Sequence, residues 1–236
     1  MLGQKSCGAR VAATILLTAA LLACGDNEPT QRKAFIEFLQ NRIIAKPGVH
    51  VPKLTAEETA AFGDYAKHYA VIADFNGNLD QVVSRPMQQA LAKGTPHSLA
   101  EVMERRQDVA AVGEGMAKIR IALDQQLATA DAAHAALKQP DDLKPVYDAA
   151  YARDVTMPAK AMADIFPDVD ETMKSILALA DFVAAHQGAV KIQGTMIQTS
   201  DPSLQPVLAA MIDKVREKSE AINKAQQRVN ALITGG

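Results

Sequence analysis

Five histidines, His50, His68, His97, His134 and His186, are the side chains best suited to proton or metal chemistry. Two of them sit beside an aspartate at helical spacing: Asp64 with His68 (i, i+4) and Asp131 with His134 (i, i+3). On a helix, either spacing puts a carboxylate and an imidazole on one face. Such a pair could share a metal ion or a proton. Chance produces these pairs often, and neither has a third ligand nearby in sequence, so solvated or locally satisfied histidines are expected. The chain holds no Glu-x-x-His, no His-Glu-x-x-His and no Cys-x-x-Cys-His, the local signatures of di-iron, zinc and haem sites. Gly-x-Ser-x-Gly and Ser-x-x-Lys nucleophile motifs are missing too. Gly113 to Lys118 resembles half of a phosphate loop but falls inside a helical pattern. Asp168-Val169-Asp170-Glu171 lacks the glycine and spacing of a calcium loop and suits the positive end of a helix instead. The expectation is no catalytic residue, no metal ligand and no cofactor.

The elements that would position any site are helices. The chain has 236 residues, with 25 basic and 27 acidic side chains and a net charge of -2. It lacks the basic excess of a nucleic-acid binder. Hydrophobic residues make up 48% and charged residues 22%, a balance that excludes intrinsic disorder. Aromatics are 4%, Trp is absent and alanine is abundant, all of which favour helix over sheet.

The N-terminus reads as an address. Lys5 and Arg10 precede Val11 to Ala23, thirteen residues without a charge. That run is shorter than the roughly 20 residues of a membrane-spanning helix and fits a signal peptide. It ends Leu21-Leu22-Ala23-Cys24, which resembles the lipobox of bacterial lipoproteins. The resemblance implies cleavage between Ala23 and Cys24 and acylation of Cys24 at its thiol and its new amine. The expected membrane partner is then the bilayer, held through this lipid. Gly25 stands where enterobacterial lipoproteins carry an inner-membrane retention aspartate, which favours the outer membrane, facing the periplasm; Asp26, one place later, tempers that inference. Removing 23 of the 236 residues leaves 213 and takes the charge from -2 to -4. The predicted organisation is a signal at 1–23, a lipidated tether at 24–30 and one helical domain at 31–233.

Within that domain, Phe35, Phe38, Leu39, Arg42 and Ile43 form a stripe on a helix that stops at Lys46-Pro47-Gly48. Thr55 and Glu58 make a capping box for a helix to about Ala73, with a break or kink expected at Asn76-Gly77-Asn78 and another kink at Pro86. Ser98 and Glu101 form a second box. A single helix from there to about Gln139 carries a heptad: Val102, Val109, Met116, Leu123, Ala130 and Leu137 at one position, Val112, Ile119 and Ala133 at the other. Gly113 and Gly115 mark a bend or a close helix approach. Asp141 or Asp142 is expected to cap a short helix bearing Tyr147 and Tyr151. Asp168 to His186 is amphipathic, and 189–199 alternates as an extended segment or small hairpin. A last helix begins near Pro202 and repeats Leu208, Val215, Ile222 and Val229 every seven residues. The fold class is all-α: an elongated helical bundle with long heptad-patterned helices.

Several blocks carry a family likeness. Ala23-Cys24-Gly25-Asp26, the run Gln31 to Asn41, Leu54-Thr55-Ala56 and the run Ala130 to Tyr151 resemble the YiaF-like family of uncharacterised enterobacterial envelope proteins. The likeness is thin after Gly194. It implies a lipoprotein with a domain of unknown function and offers no catalytic residue. Two roles follow from the sequence. One is a membrane-tethered, non-catalytic module that docks envelope protein partners. The other is an envelope hydrolase acting on peptidoglycan or lipid through a pair of inward carboxylates.

Overall fold

The computed structural model describes residues 27–94, 96–194 and 196–236. The signal, Ala23 and Cys24 lie outside the described residues. The regular structure of the described chain is helical apart from one hairpin, β1 (Val190–Gln193) against β2 (Met196–Thr199), antiparallel with Val190 opposite Thr199. Gly194 takes a positive φ at the hairpin turn.

Helix α1 (Glu28–Phe38) continues into a wide π turn (Leu39–Ile44). The Thr55 capping box forms as expected. The Thr55 hydroxyl accepts from the Glu58 N–H at 3.1 Å and the Glu58 carboxylate accepts from the Thr55 N–H at 2.9 Å. Thr55→Ala should therefore cost about 1 kcal/mol in a urea titration; an unchanged midpoint would show the cap to be dispensable. The helix it starts is shorter than expected. α2 (Ala56–Phe62) ends at Gly63, whose φ of 55° breaks the run before α3 (Tyr65–Leu79). By contrast, α3 passes through Asn76-Gly77-Asn78 unbroken.

The irregularity expected at Pro86 takes the form of a second π turn (Asp80–Ser84), which leads into α4 (Arg85–Ala90). A third π turn (Ala152–Thr156) joins α7 (Lys144–Tyr151) to α8 (Met157–Ala163). Both of these turns lie just before a proline, Pro86 and Pro158. A proline ring collides with the carbonyl four residues back and offers it no N–H. Widening the turn clears the ring and leaves that carbonyl free. Behind Pro158 the freed carbonyl is that of Asp154, and the Asn76 side chain donates to it at 3.0 Å.

Neither Asp141 nor Asp142 caps α7, which has no side-chain cap. Asp142 pairs with Arg32 at 3.2 Å instead. The long helix expected from Ser98 is interrupted at Arg105, giving α5 (Leu99–Glu104) and α6 (Arg106–Ala135), which ends four residues early. Ser98 caps α5, but Glu101 turns back to the His97 N–H rather than to that of Ser98. Helix α9 (Phe166–Ala185) follows, and α10 (Gln205–Thr234) begins three residues later than expected, because Asp201 folds onto Ser203 in a turn.

The largest core cluster joins α1, α3, α6, α7 and the π turn before α8 through Phe35, Phe38, Tyr69, Ile72, Leu123, Tyr147 and Val155. A second forms where Leu179 and Val183 of α9 meet Val190 of β1 and Leu208 of α10. Val102, Val109 and Ala180 make a third. The heptad stripes point inward with exceptions. Ala133 is exposed, while Val112, Met116, Leu137, Val215 and Ile222 are only half-buried. Gly115 realises the close approach: a Cβ there would sit 3.4 Å from that of Ala90 on α4.

Candidate functional site

The histidine–aspartate pairs suggested by spacing do not come together. Asp64 is at the surface and takes a 2.6 Å bond from Lys67, which holds its carboxyl below the usual range. His68 turns inward, where burial lowers its pKa, and its Nδ1 meets the Gln139 side chain at 3.3 Å. Asp131 accepts from the Tyr151 hydroxyl at 2.8 Å. His134 instead meets Asp148 on α7 at 2.8 Å and lies over the Tyr151 ring, 4.1 Å between centroids. Tyr147 donates to the His68 carbonyl at 2.6 Å. Burial, then the bond to Asp131, pushes the Tyr151 hydroxyl well above its usual pKa, so it stays protonated as a donor. Asp131, His134, Tyr147 and Tyr151 thus tie α3, α6 and α7 together, while Asp64 stays with Lys67 at the surface. Among the described residues no three His, Cys, Asp or Glu side chains converge as a metal site.

Asp154 is the one buried carboxylate among the described residues, with no exposed surface. A usable signal for it lay in the helical spacing: Asp154 falls three residues after Tyr151 and seven after Tyr147, on their inward stripe. Its Oδ1 accepts one long bond, 3.4 Å, from the His50 N–H, and its Oδ2 has no partner. Burial pushes its pKa up to about 6, outweighing the His50 N–H and the Arg153 charge. No second buried carboxylate accompanies it among the described residues.

An apolar concavity lies elsewhere. A groove of about 590 Å³ opens where α4, α5, α6, α9 and α10 meet. Leu91, Val109, Met116, Met173, Ile176 and Ile222 give it an aliphatic lining. Volume and lining match those of small-molecule and side-chain pockets, which run from about 300 to 1,000 Å³. Its rim is charged but balanced. Arg105 reaches the Glu101 carboxylate at 2.7 Å and clamps the end of α4 through the Lys93 and Gly94 carbonyls at 2.8 and 3.0 Å. Lys93 bonds Asp108 at 2.5 Å, which holds that carboxyl below its usual range. Among the described residues the charged side chains at the groove, Lys93, Arg105 and Asp108, are engaged in ion pairs.

A family model described as "Protein of unknown function (DUF3053)" matches residues 12–230. The chain belongs to the DUF3053 family. It is 30% identical over 227 residues to the uncharacterized protein YiaF of Escherichia coli strain K12, covering 94% of each chain, and equally so to that of Shigella flexneri. The likeness carried by the N-terminal and central blocks therefore extends past Gly194 and through most of α10. No solved structure matches.

Proposed function

We propose that this DUF3053 protein is a lipid-anchored module of the bacterial envelope, facing the periplasm from the outer membrane and docking other envelope proteins without catalysing a reaction. The observation that carries the docking role is the aliphatic groove between α4, α6, α9 and α10, whose rim charges are already paired. An apolar lining whose charged groups are engaged with one another suits recognition rather than bond breaking. The hydrolase alternative calls for two inward carboxylates, and the described residues bury Asp154 alone.

The anchor rests on Leu21-Leu22-Ala23-Cys24 and the apolar run before it. One acyl chain binds a bilayer marginally and two hold it stably, so a triacylated Cys24 stays at one surface. Confinement raises the effective concentration of the groove for partners on that surface.

Cys24→Ser should move the protein from the outer-membrane fraction to the soluble fraction, or leave an uncleaved precursor, and should abolish palmitate labelling. Wild-type protein with an unmodified intact mass would overturn the anchor. For docking, a photoreactive side chain at Met173 should crosslink a reproducible protein in cells, and the adduct should weaken in the Cys24→Ser background. No adduct, together with turnover of peptidoglycan or lipid, would overturn docking in favour of the hydrolase.

A further inference from the structure

We propose that the turn at 46–50 and the C-terminal end of α10 form a pH-gated clasp, released when the buried Asp154 carboxylic acid gives its proton to water. The two ends of the clasp meet backbone to backbone. The Val49 N–H donates to the Ile233 carbonyl at 3.1 Å. A Cβ on Gly48 would lie 2.3 Å from the Ile233 oxygen, and one on Gly235 would lie 2.4 Å from the Pro47 Cβ. Both glycines have positive φ, 68° and 89°. Only glycine allows this approach.

The other side of the turn is held by the π turn at 152–156. Arg153 donates to the Lys46 carbonyl, and the His50 N–H donates to Asp154 Oδ1. The turn is thus bracketed between α10 and Asp154, and what loosens one bracket loosens the other. The Asp154 bracket is ill suited to charge. Its carboxylate has one long bond, Oδ2 has none, and the Arg153 Nε next to it is buried without a partner. The Asn76 amide that reaches this turn serves the Asp154 carbonyl, leaving the carboxylate without it.

The titratable groups facing Asp154 give little help. Tyr69 of α3 spends its hydroxyl on the Pro52 carbonyl at 2.7 Å, and Arg153 directs its guanidinium to Lys46. The His50 imidazole is exposed. On α7, Lys144 and Asp148 pair with each other, and Lys160 of α8 is exposed. The neutral acid fits this site. The anion, starved of donors, draws in water or leaves.

The pKa of about 6 agrees with the geometry. With the clasp open and Asp154 hydrated, its carboxyl returns to about 4. A raised pKa in the closed form makes closure strongest below pH 4, weaker as pH rises toward 6 and constant above it. Across that window the opening equilibrium rises about a hundredfold, tenfold for each unit of difference.

The test is hydrogen exchange on the full acylated chain in detergent micelles, corrected for intrinsic rate. Between pH 4.5 and 7.5, protection of the Val49 and Gly235 amides should fall about 25-fold in wild type while that of Leu123 in α6 holds. In Asp154→Asn the step should vanish. Equal wild-type protection at both pH values, or a step that persists in Asp154→Asn, would overturn the proposal. A second readout needs no change at Asp154. Carboxyl-carbon NMR of wild type should give Asp154 a midpoint near 6, and Gly235→Ala, which wedges the clasp open, should pull it toward 4 by reciprocity. A wild-type midpoint near 4, or one that Gly235→Ala leaves in place, would also overturn it.

Discussion

Phe35→Ala is expected to lower the unfolding free energy by about 3–5 kcal/mol, the range for emptying a fully buried aromatic site. Phe35 has no exposed surface. Its ring centroid lies 5.4 Å from that of Phe62, 5.8 Å from Tyr65 in a stacked pair, and 6.4 Å from Tyr147. Those rings come from α2, α3 and α7, so one side chain of α1 closes a junction of four helices. Collapse into the gap is hindered because the neighbours are held at their far ends. Tyr147 is tied to the His68 carbonyl and Tyr65 to Glu28. A void that cannot collapse keeps its cavity cost as well as the lost transfer energy. Urea unfolding with an unchanged m-value would read the loss directly. A loss below about 1 kcal/mol would mean that the four helices repack around the gap.

How much of this was legible in the sequence depends on distance along the chain. The Thr55 box was legible because both partners lie within four residues; the extended character of 189–199 was legible from its alternation, but alternation alone left open whether the segment crosses the domain or turns back as a hairpin. The break at Gly63 was hidden because Phe62, Tyr65 and Tyr69 keep helical spacing across it; all three are buried, and only the positive φ of Gly63 shows the two helices to be separate. The irregularity at Pro86 was legible in place but not in form. A proline demands that the carbonyl behind it be accommodated, and whether the helix breaks or widens depends on what else can serve that carbonyl. At Pro158 the answer is Asn76, 78 residues from Asp154 along the chain.

The site shows the same rule. Local spacing offered Asp131 to His134, yet a partner from another helix, Asp148, took the imidazole, and Tyr151 took Asp131. Asp154 sat on a legible apolar stripe, but its burial depends on the connector around His50, 104 residues away. The groove was illegible for a related reason. Its aliphatic residues look like core positions in every helix that contributes one, and only the assembly leaves them without a partner.

Leu123→Asp and Ile222→Asp should separate depth from pattern, since both positions sit on heptad stripes that the sequence treats alike. Leu123 is 1% exposed in α6, within the main core cluster. Ile222 of α10 is half-buried and lines the groove. An aspartate at 123 enters an apolar site with no cation aimed at it and should cost about 4 kcal/mol or more, enough to unfold much of the population at neutral pH. At 222 the carboxylate reaches water through the groove, so the cost should stay near 1 kcal/mol. The pH dependence supplies an independent check. A carboxyl buried at 123 has its folded pKa raised, so its penalty is smallest below the unfolded value near 4 and grows as pH rises through the folded one. Leu123→Asp should therefore regain melting temperature relative to wild type on acidification, while Ile222→Asp should track wild type. Equal losses at neutral pH would place Ile222 in a sealed core, and the groove would then not be open to water or to a partner.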